Sequence, residues 1–278
     1  MKKQELSELA TLIREYCGID FSSNLTSLDL KVSRRLMELN LNIDEYLFYL
    51  QKNRTEWDKL VEYITINETY FFREFNQLQE FQNLLRKTSG KTIQVWCVPC
   101  STGEEAYSLA MLAKEMEPLT GNRVRIMASD LNKKVLDQAK SGFYSKNSFS
   151  FRRFPENSKY LNKYFIEHED GYEVKNEIKQ MITFEAFNLA DFYLYSKFGQ
   201  LDFIFCRNVL IYFDEDMKKS IVNQFYSTLK KDGYLFLGHA ESISNIKSQF
   251  VPIYTKDTFY YTKSEEMVPE TGISRLSF

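Results

Sequence analysis

The sequence has few of the residues that disulfide frameworks and zinc sites require. Its 278 residues include four cysteines and two histidines. Cys97 and Cys100 form a C-x-x-C pair, but a structural zinc site needs a second pair of ligands, and His168 and His239 are far apart in the sequence. We therefore expect the cysteines to be small buried side chains, with no metal bound and no disulfide framework.

Long apolar runs and a strong excess of one charge are also lacking. No run approaches the roughly 18 apolar residues of a membrane-spanning helix, and the N-terminal MKKQELSELA has no apolar signal-peptide core. The net charge is −2 and no extended basic stripe is present, which gives no support to nucleic-acid binding. We expect a cytoplasmic, monomeric protein that does not insert into a membrane.

The first 90 residues carry apolar side chains at helical spacing. QELSELATLIREYCG repeats leucine and isoleucine at intervals of three and four residues and stops at Gly18. NIDEYLFYLQKN opens with Asn42, a predicted N-cap, and has Glu45 three residues on, which is the pattern of a capping box. The sequence thus predicts an all-helical N-terminal domain over residues 1–74 and a connecting helix over residues 75–90.

From residue 91, short apolar runs alternate with helical segments. The predicted strands are KTIQVWCV, RVRIMASD, MITFEAFN, LDFIFCRN and YLFLGHAES, followed by an antiparallel pair in FVPIYTKDTFYYTK. This alternation predicts an α/β fold with a doubly wound, Rossmann-like sheet over residues 91–263. KYFIEHEDGYEVKNEIKQ predicts a small β-subdomain inserted at about residues 158–180, and residues 264–278 are expected to form a flexible tail.

Residues suited to holding a ligand follow the first four predicted strands. CSTGEE follows the first, Asp130 ends the second, Asn188 and Leu189 follow the third, and CRNVLIYFD, residues 206–214, overlaps the end of the fourth. In an open α/β sheet, ligands bind at the carboxyl ends of the strands. Together these positions predict a ligand site at that edge of the sheet.

Asp130 indicates a nucleoside ligand. An acidic residue at the end of this strand typically accepts hydrogen bonds from the two hydroxyls of a ribose; the alternative is that Asp130 caps the helix NKKVLDQAK. The turn after the first strand has neither G-x-G-x-x-G nor G-K-[ST], and Glu104 and Glu105 would repel phosphate there. A positively charged nucleoside without phosphates fits these residues, and S-adenosylmethionine is such a ligand.

Five motifs, in order along the chain, carry a resemblance to a known family. They are NETYFFRE, CSTGEEAYSLAMLA, ASDLNKKVLDQAKSGFY, LDFIFCRNVLIYFD and KKDGYLFLGHAES. They resemble the successive motifs of the CheR family of chemotaxis receptor methyltransferases. The resemblance implies a helical domain packed on a methyltransferase domain that carries an inserted β-subdomain. It also implies transfer of methyl from S-adenosylmethionine to glutamate side chains on the signalling helices of chemoreceptors, giving glutamyl methyl esters and S-adenosylhomocysteine.

The resemblance also implies roles for particular residues. Asn67, Thr69 and Arg73 would contact the cofactor between the two domains, Glu105 would lie near its ammonium, and Asp130 would bind its ribose. The adenine would lie between Asn188 with Leu189 on one side and Arg207 with Asn208 on the other. Lys31, Arg34 and Arg35 lie on a basic helix that would meet the receptor, and the alternative for them is an ordinary solvated helix face.

Arg73 and Tyr212 are the candidate catalytic residues. The resemblance implies that Tyr212 lies near the transferred methyl, and a guanidinium at position 73 can hold an incoming carboxylate by two parallel hydrogen bonds. Alternatively, Arg73 pairs only with the cofactor carboxylate and Tyr212 is a packing residue. No catalytic base is expected, because a glutamate with an unperturbed pKa of about 4.3 is already ionised at neutral pH.

The stretch NETYFFRE, residues 67–74, is interpreted as a lid between the domains. Its aromatic residues would anchor it while its polar residues face the cofactor; the alternative is an ordinary helix start with buried aromatics. Two other functions stay open: a methyltransferase using the same cofactor on a different substrate, and a non-catalytic cofactor-binding signalling protein. Transfer of labelled methyl into candidate receptors separates these possibilities.

Overall fold

The computed structural model describes residues 3–154, 159–246 and 248–263, and the tail predicted at residues 264–278 lies outside them. The helices are α1 (Lys3–Cys17), α2 (Leu25–Leu39), α3 (Ile43–Lys52), α4 (Arg54–Ile64), α5 (Phe75–Arg86), α6 (Glu104–Thr120), α7 (Lys133–Ser141), α8 (Lys159–Tyr164), α9 (Asn176–Lys179) and α10 (Glu215–Thr228). The strands are β1 (Thr92–Cys97), β2 (Arg123–Asp130), β3 (Phe143–Ser145), β4 (Phe165–Glu167), β5 (Gly171–Val174), β6 (Ile182–Ala186), β7 (Leu201–Cys206), β8 (Leu229–Leu237), β9 (Val251–Tyr254) and β10 (Phe259–Thr262).

Helices α1 to α4 form a bundle around one apolar core. Leu9 and Ile13 of α1 pack in this core with Leu28 and Val32 of α2 and with the apolar faces of α3 and α4. The predicted capping box is confirmed, because the Asn42 side chain accepts the Glu45 N–H at 3.0 Å and the Glu45 carboxylate accepts the Asn42 N–H at 2.8 Å. This cap fixes the start of α3 immediately after α2.

The second half of the chain forms the predicted Rossmann-like sheet. Its seven strands run in the order β6-β2-β1-β7-β8-β10-β9, the first five parallel and the last two antiparallel. This confirms the doubly wound sheet with its terminal antiparallel pair. Strand β8 begins at Leu229, earlier than expected, because Leu229 pairs with Leu201 of β7 before a register shift. The carboxyl ends of β1, β2, β6 and β7 therefore lie along one edge.

A second, three-stranded sheet has the order β3-β5-β4. The hairpin of β4 and β5 lies in the segment expected to hold an inserted β-subdomain, but β3 lies outside it, at residues 143–145. Three residues are too few to show the period-two alternation that marks a strand in a sequence. Strand β3 joins because Tyr144 and Phe165 pack in an aromatic cluster that also buries the ring of Phe71.

The described residues contain no membrane-spanning helix and no metal-binding cluster. Within residues 3–154, 159–246 and 248–263, no helix combines the length and apolar character needed to cross a bilayer. Histidine, cysteine and acidic side chains are nowhere grouped there in threes that could hold a metal ion. All four cysteines are buried and free.

Candidate active site

A cavity of about 370 Å³ lies between the helical bundle and the carboxyl edge of the large sheet. Its volume falls within the range of about 300–1,000 Å³ typical of small-molecule sites. Eleven of the thirteen residues singled out in the sequence line it: Lys31, Asn67, Thr69, Arg73, Glu105, Asp130, Asn188, Leu189, Arg207, Asn208 and Tyr212. Arg34 and Arg35 lie outside the cavity lining.

Asp130 is buried at the end of β2. Its two oxygens accept the backbone N–H groups of Ser101 at 2.8 Å and Asn132 at 2.9 Å, which aim the carboxylate at the cavity. Helix α7 is capped by the Asn132 side chain, so Asp130 is not the helix cap. A carboxylate has about four lone-pair positions, which leaves acceptor capacity for two hydroxyls. Burial raises the pKa of Asp130 to about 6, so the group is still mostly ionised at neutral pH.

Glu105 forms a buried charge network with Arg207 and Glu74. The Arg207 guanidinium, 1% exposed, lies 2.5 Å from Glu105 and 3.0 Å from Glu74. Burial raises the pKa of Glu105, and the charge of Arg207 opposes this. The guanidinium of Arg207 is thus committed to two carboxylates, whereas the resemblance implied that it closes one side of the adenine. Its Nε is buried with no hydrogen-bond partner among the described residues, which leaves one donor for a ligand.

Asn188 and Asn208 are also held by protein groups. The Asn188 amide donates to the backbone oxygen of Tyr16 at 2.6 Å and so joins the end of α1 to the sheet. Asn208 has a left-handed backbone, with φ of 60°, and donates its side-chain amide to Glu74 at 3.3 Å. A Cβ at Gly238 would come within 2.5 Å of that amide, so only glycine leaves room there. Leu189 is buried beside Asn188 and contributes an apolar wall.

The stretch NETYFFRE is an extended segment followed by a turn, and the next helix begins only at Phe75. The helix-start alternative is therefore excluded. Phe71 N–H donates to the Ser150 carbonyl at 2.9 Å, and Phe72 N–H donates to the Ser108 hydroxyl at 2.9 Å. Both rings are buried against the aromatic rings of Phe151, Phe154 and Phe165. This anchoring holds the polar residues of the segment at the cavity.

Arg73 and Tyr212 line the same cavity from opposite parts of the chain. Arg73 donates to the Glu68 carbonyl at 2.8 Å, and its own carbonyl accepts from Arg207 at 2.8 Å, so its position is fixed on two sides. Burial raises the pKa of Tyr212, and the charge of Arg73 opposes this shift, as expected for neighbours. The Tyr212 carbonyl accepts the Asp20 N–H at 2.8 Å.

The three basic residues of α2 have three different environments. Lys31 is half-buried at the cavity, and burial lowers its pKa. Arg34 is 78% exposed and pairs with Glu38 on the same helix. Arg35 is only 17% exposed and makes a two-pronged pair with the buried Glu56, at 2.7 and 2.8 Å. The charge of Arg35 is thus paired with a buried carboxylate inside the bundle, whereas the resemblance implied that Arg35 meets the receptor.

Two parts of the site escaped the sequence analysis. The linker between α1 and α2 lines the cavity through Cys17, Ile19, Asp20, Phe21, Ser23 and Asn24, and the only signal for it was the turn at Gly18. Glu241 is buried and accepts the N–H groups of Asn208, Leu210 and Gly238 at 2.6 to 2.8 Å. Its signal was a charged residue near the end of the predicted strand YLFLGHAES. Both features fix the loop that carries Asn208 and Tyr212.

The donor set fits S-adenosylmethionine. Asp130 offers acceptors for ribose hydroxyls, Glu105 offers negative charge for an ammonium, and the Arg207 Nε donor is unsatisfied. No glycine-rich phosphate turn precedes α6, where Glu104 and Glu105 begin the helix instead. A Rossmann-like sheet with this set of groups at its carboxyl edge is that of an S-adenosylmethionine-dependent methyltransferase.

Comparison with known proteins identifies the family. Residues 67–259 match the family described as CheR methyltransferase, SAM binding domain, and residues 4–65 match CheR methyltransferase, all-alpha domain. The chain belongs to the CheR methyltransferase family, which confirms the resemblance and the predicted cofactor, S-adenosylmethionine.

Relatives match over most of their lengths. Chemotaxis protein methyltransferase 2 of Vibrio cholerae is 39% identical, over 78% of this chain and 77% of the relative. Chemotaxis protein methyltransferase of Borreliella burgdorferi is 36% identical over 88% and 90%, and that of Escherichia coli is 34% identical over 79% and 77%. The solved structure of PKMT2 from Rickettsia typhi has a TM-score of 0.37 at 16% identity, over 62% of this chain and 26% of that one.

Proposed function

We propose that this protein methylates glutamate side chains on the cytoplasmic signalling helices of chemoreceptors, as part of chemotaxis. The similarity to proteins named chemotaxis protein methyltransferase supports the pathway. The observation that carries the acceptor chemistry is a cavity that combines cationic and hydroxyl donors, Lys31, Arg73 and Tyr212, with no histidine among its described lining residues.

A carboxylate acceptor needs no proton removed. Free glutamate has a pKa of about 4.3, so it reaches the enzyme ionised, whereas an amine or phenol acceptor more often needs a base. The carboxylates lining the cavity are already engaged: Glu105 with Arg207, Asp130 with backbone N–H groups, Glu68 with Arg152, and Asp20 with the Ser22 N–H. These contacts, together with the cationic and hydroxyl donors beside them, support an acceptor that arrives already ionised.

Lys31 supplies the most direct argument for an anionic acceptor. Among the described residues it has no ion-pair partner, and burial lowers its pKa. A half-buried cation without a counter-ion is costly, and a carboxylate entering the cavity would supply the missing charge. S-adenosylmethionine, held by Asp130 and Glu105, supplies a methyl group on a sulfonium. Lys31, Arg73 and Tyr212 would hold the acceptor oxygen in line with that methyl.

The exposed face of α2 carries a further positive charge outside the cavity. Arg34 projects into solvent from the helix that carries Lys31, one helical turn further along. Glutamate-bearing signalling helices are acidic, so a cation beside the cavity would favour encounter and orientation. Receptor contact is proposed for Lys31 and Arg34, while Arg35 would act only through the stability of the bundle.

The test is methyl transfer to a purified receptor signalling fragment. The protein is incubated with methyl-labelled S-adenosylmethionine and the fragment, and the modified residues are mapped by mass spectrometry. We expect label on glutamates, released as methanol by mild alkali because methyl esters hydrolyse there. Alkali-stable label, or label on lysine, arginine or a small molecule, would contradict the glutamate assignment. Cofactor binding without any transfer would favour a non-catalytic binding protein.

A further inference from the structure

A cluster of three guanidinium groups surrounds the ring of Tyr70, beside the cavity. Their central carbons lie 4.2 Å (Arg152), 5.7 Å (Arg73) and 5.8 Å (Arg153) from the ring centroid. Tyr70 is buried and belongs to the lid, whereas Arg152 and Arg153 are exposed and follow the 3-10 helix Phe149–Phe151. Cations above an aromatic face are attracted by its negative potential, which gathers these three charges in one place.

The cluster has more positive charge than its surroundings neutralise. Arg152 pairs with Glu68 at 2.5 Å. Arg73 and Arg153 have no ion-pair partner within the part of the chain that the structure describes. Among the described residues, Glu68 is thus the carboxylate that pairs within the cluster, while Glu105 on the cavity side also interacts with Arg73, in a protein whose net charge is −2. Like charges held close together repel each other, and a bound anion would remove that penalty.

The cluster is connected to the cavity through one shared residue. Arg73 belongs both to the cluster and to the cavity lining. The Phe71 N–H bond to the Ser150 carbonyl ties the lid to the segment that carries Arg152 and Arg153. Two cavity-lining cations therefore each have further basic residues near them on their own side: Lys31 has Arg34 one turn along α2, and Arg73 has Arg152 and Arg153 around the Tyr70 ring.

We propose that Tyr70, Arg152 and Arg153 form a second anchoring surface for the acidic helix that carries the methylated glutamate. The inference rests on the proposed function. On such a helix, acidic residues three, four or seven positions from the reacting glutamate share its face, and each turn advances about 5.4 Å. Their carboxylates match the planar, two-pronged donor geometry of guanidinium groups.

The test is charge reversal with a matched control. Arg152→Glu/Arg153→Glu is compared with Arg123→Glu/Arg125→Glu, which makes the same charge change on exposed residues at the start of β2, the opposite end of that strand from Asp130. Among the described residues, Arg153 has no ion pair to lose, so the single variant Arg153→Glu controls for loss of folding. For each, we measure kcat/KM for a receptor signalling fragment, binding of the fluorescently labelled fragment without methyl transfer, and cofactor affinity, from low to physiological salt.

At low salt, we expect the double reversal to lower kcat/KM and fragment affinity by about tenfold or more, within the range of about 10–10³ by which electrostatic steering changes association. Arg153→Glu should show a smaller loss of kcat/KM and fragment affinity, and the control should show little loss. Cofactor affinity should stay unchanged in all three variants. Unchanged fragment binding in the double variant would overturn the proposal, and so would an equal loss of binding in the control. A loss of activity seen only with membrane-embedded receptors would also overturn it, because it would assign the surface to lipid. If the wild-type protein does not methylate the fragment, the proposed function fails, and the binding comparison still decides the anchoring surface.

Discussion

The buried pair of Arg207 with Glu105 and Glu74 allows a direct test of what holds the lid. The substitution Arg207→Met keeps an unbranched apolar stem and removes the guanidinium and its charge. Glu105 at the start of α6 and Glu74 at the end of the lid would then be buried together without a cation. The Arg73 carbonyl would also lose its donor. The lid should therefore lose its main polar connection to the sheet.

The expected loss of stability depends on how deeply the ion pair is buried and not on the distance between its charged groups. Removing one partner of a buried ion pair costs about 3–5 kcal/mol, because the other charge stays buried and unpaired. The pair of Arg14 with Asp214 has the same 2.5 Å separation, but Arg14 is 48% exposed. Exposed pairs contribute about 0–1 kcal/mol. Arg14→Met is thus a matched control, with the same chemistry at the same distance.

Urea unfolding at pH 7, followed by intrinsic fluorescence, measures both losses. We expect the free energy of unfolding to fall by about 3–5 kcal/mol for Arg207→Met and by no more than about 1 kcal/mol for Arg14→Met. Cofactor affinity should fall only in the first variant. Equal losses in the two variants would refute the claim that burial decides the cost.

The pH dependence gives an independent check of the same reasoning. Burial alone would raise the pKa of Glu74, and Arg207 turns the net shift downwards; burial raises the pKa of Glu105 even with Arg207 present. Without Arg207 both pKa values rise, so the folded variant binds more protons than the folded wild type as these groups titrate. The stability difference should therefore shrink as the pH falls from 7 towards 5. A difference that stays constant or grows would contradict this account.

The other predictions concern the ligand groups. Asp130→Ala should fold and lower cofactor affinity by about 10–150-fold in calorimetry, and wild-type affinity should weaken below about pH 6, where Asp130 protonates. Arg34→Glu should slow receptor methylation at low salt without changing stability, whereas Arg35→Ala should lower the urea midpoint; the reverse pattern would refute their assignment. Arg73→Ala should lower the single-turnover methylation rate at saturating cofactor by on the order of 10²-fold, with a milder loss for Tyr212→Phe. Full recovery of both rates at saturating cofactor would make these two residues binding groups only.

The strand-end residues were predictable because their positions follow from topology. Once a parallel sheet is inferred, the residues after β1, β2, β6 and β7 must lie along one edge. Asp130 and Glu105 needed only this local pattern, and both line the cavity. Adjacent aromatic and polar residues showed that NETYFFRE does not fit a one-sided helix, whereas its interpretation as a lid came from the family resemblance.

The partners of the polar side chains could not be predicted in the same way. Asn188 bonds the Tyr16 carbonyl, 172 residues away in sequence. Arg35 and Lys31 are four residues apart, so both lie on similar faces of α2, yet Glu56 draws one inwards while the other reaches the cavity. Which of two neighbouring cations is committed depends on how α4 packs against α2. Helical spacing alone carries no information on that packing.

The two anchors of the lid have different physical consequences. Phe71 and Phe72 anchor it through aromatic contacts and through backbone N–H bonds to the Ser150 carbonyl and the Ser108 hydroxyl, while Glu74 attaches it to the sheet through a buried charge network. Apolar packing has little dependence on pH, whereas the charge network does. A lid held on both sides is ordered before the acceptor arrives, so binding need not supply the entropy cost of ordering it. Arg73, between these anchors, therefore stands at a fixed place at the cavity, as the orientation of a carboxylate towards a methyl group requires.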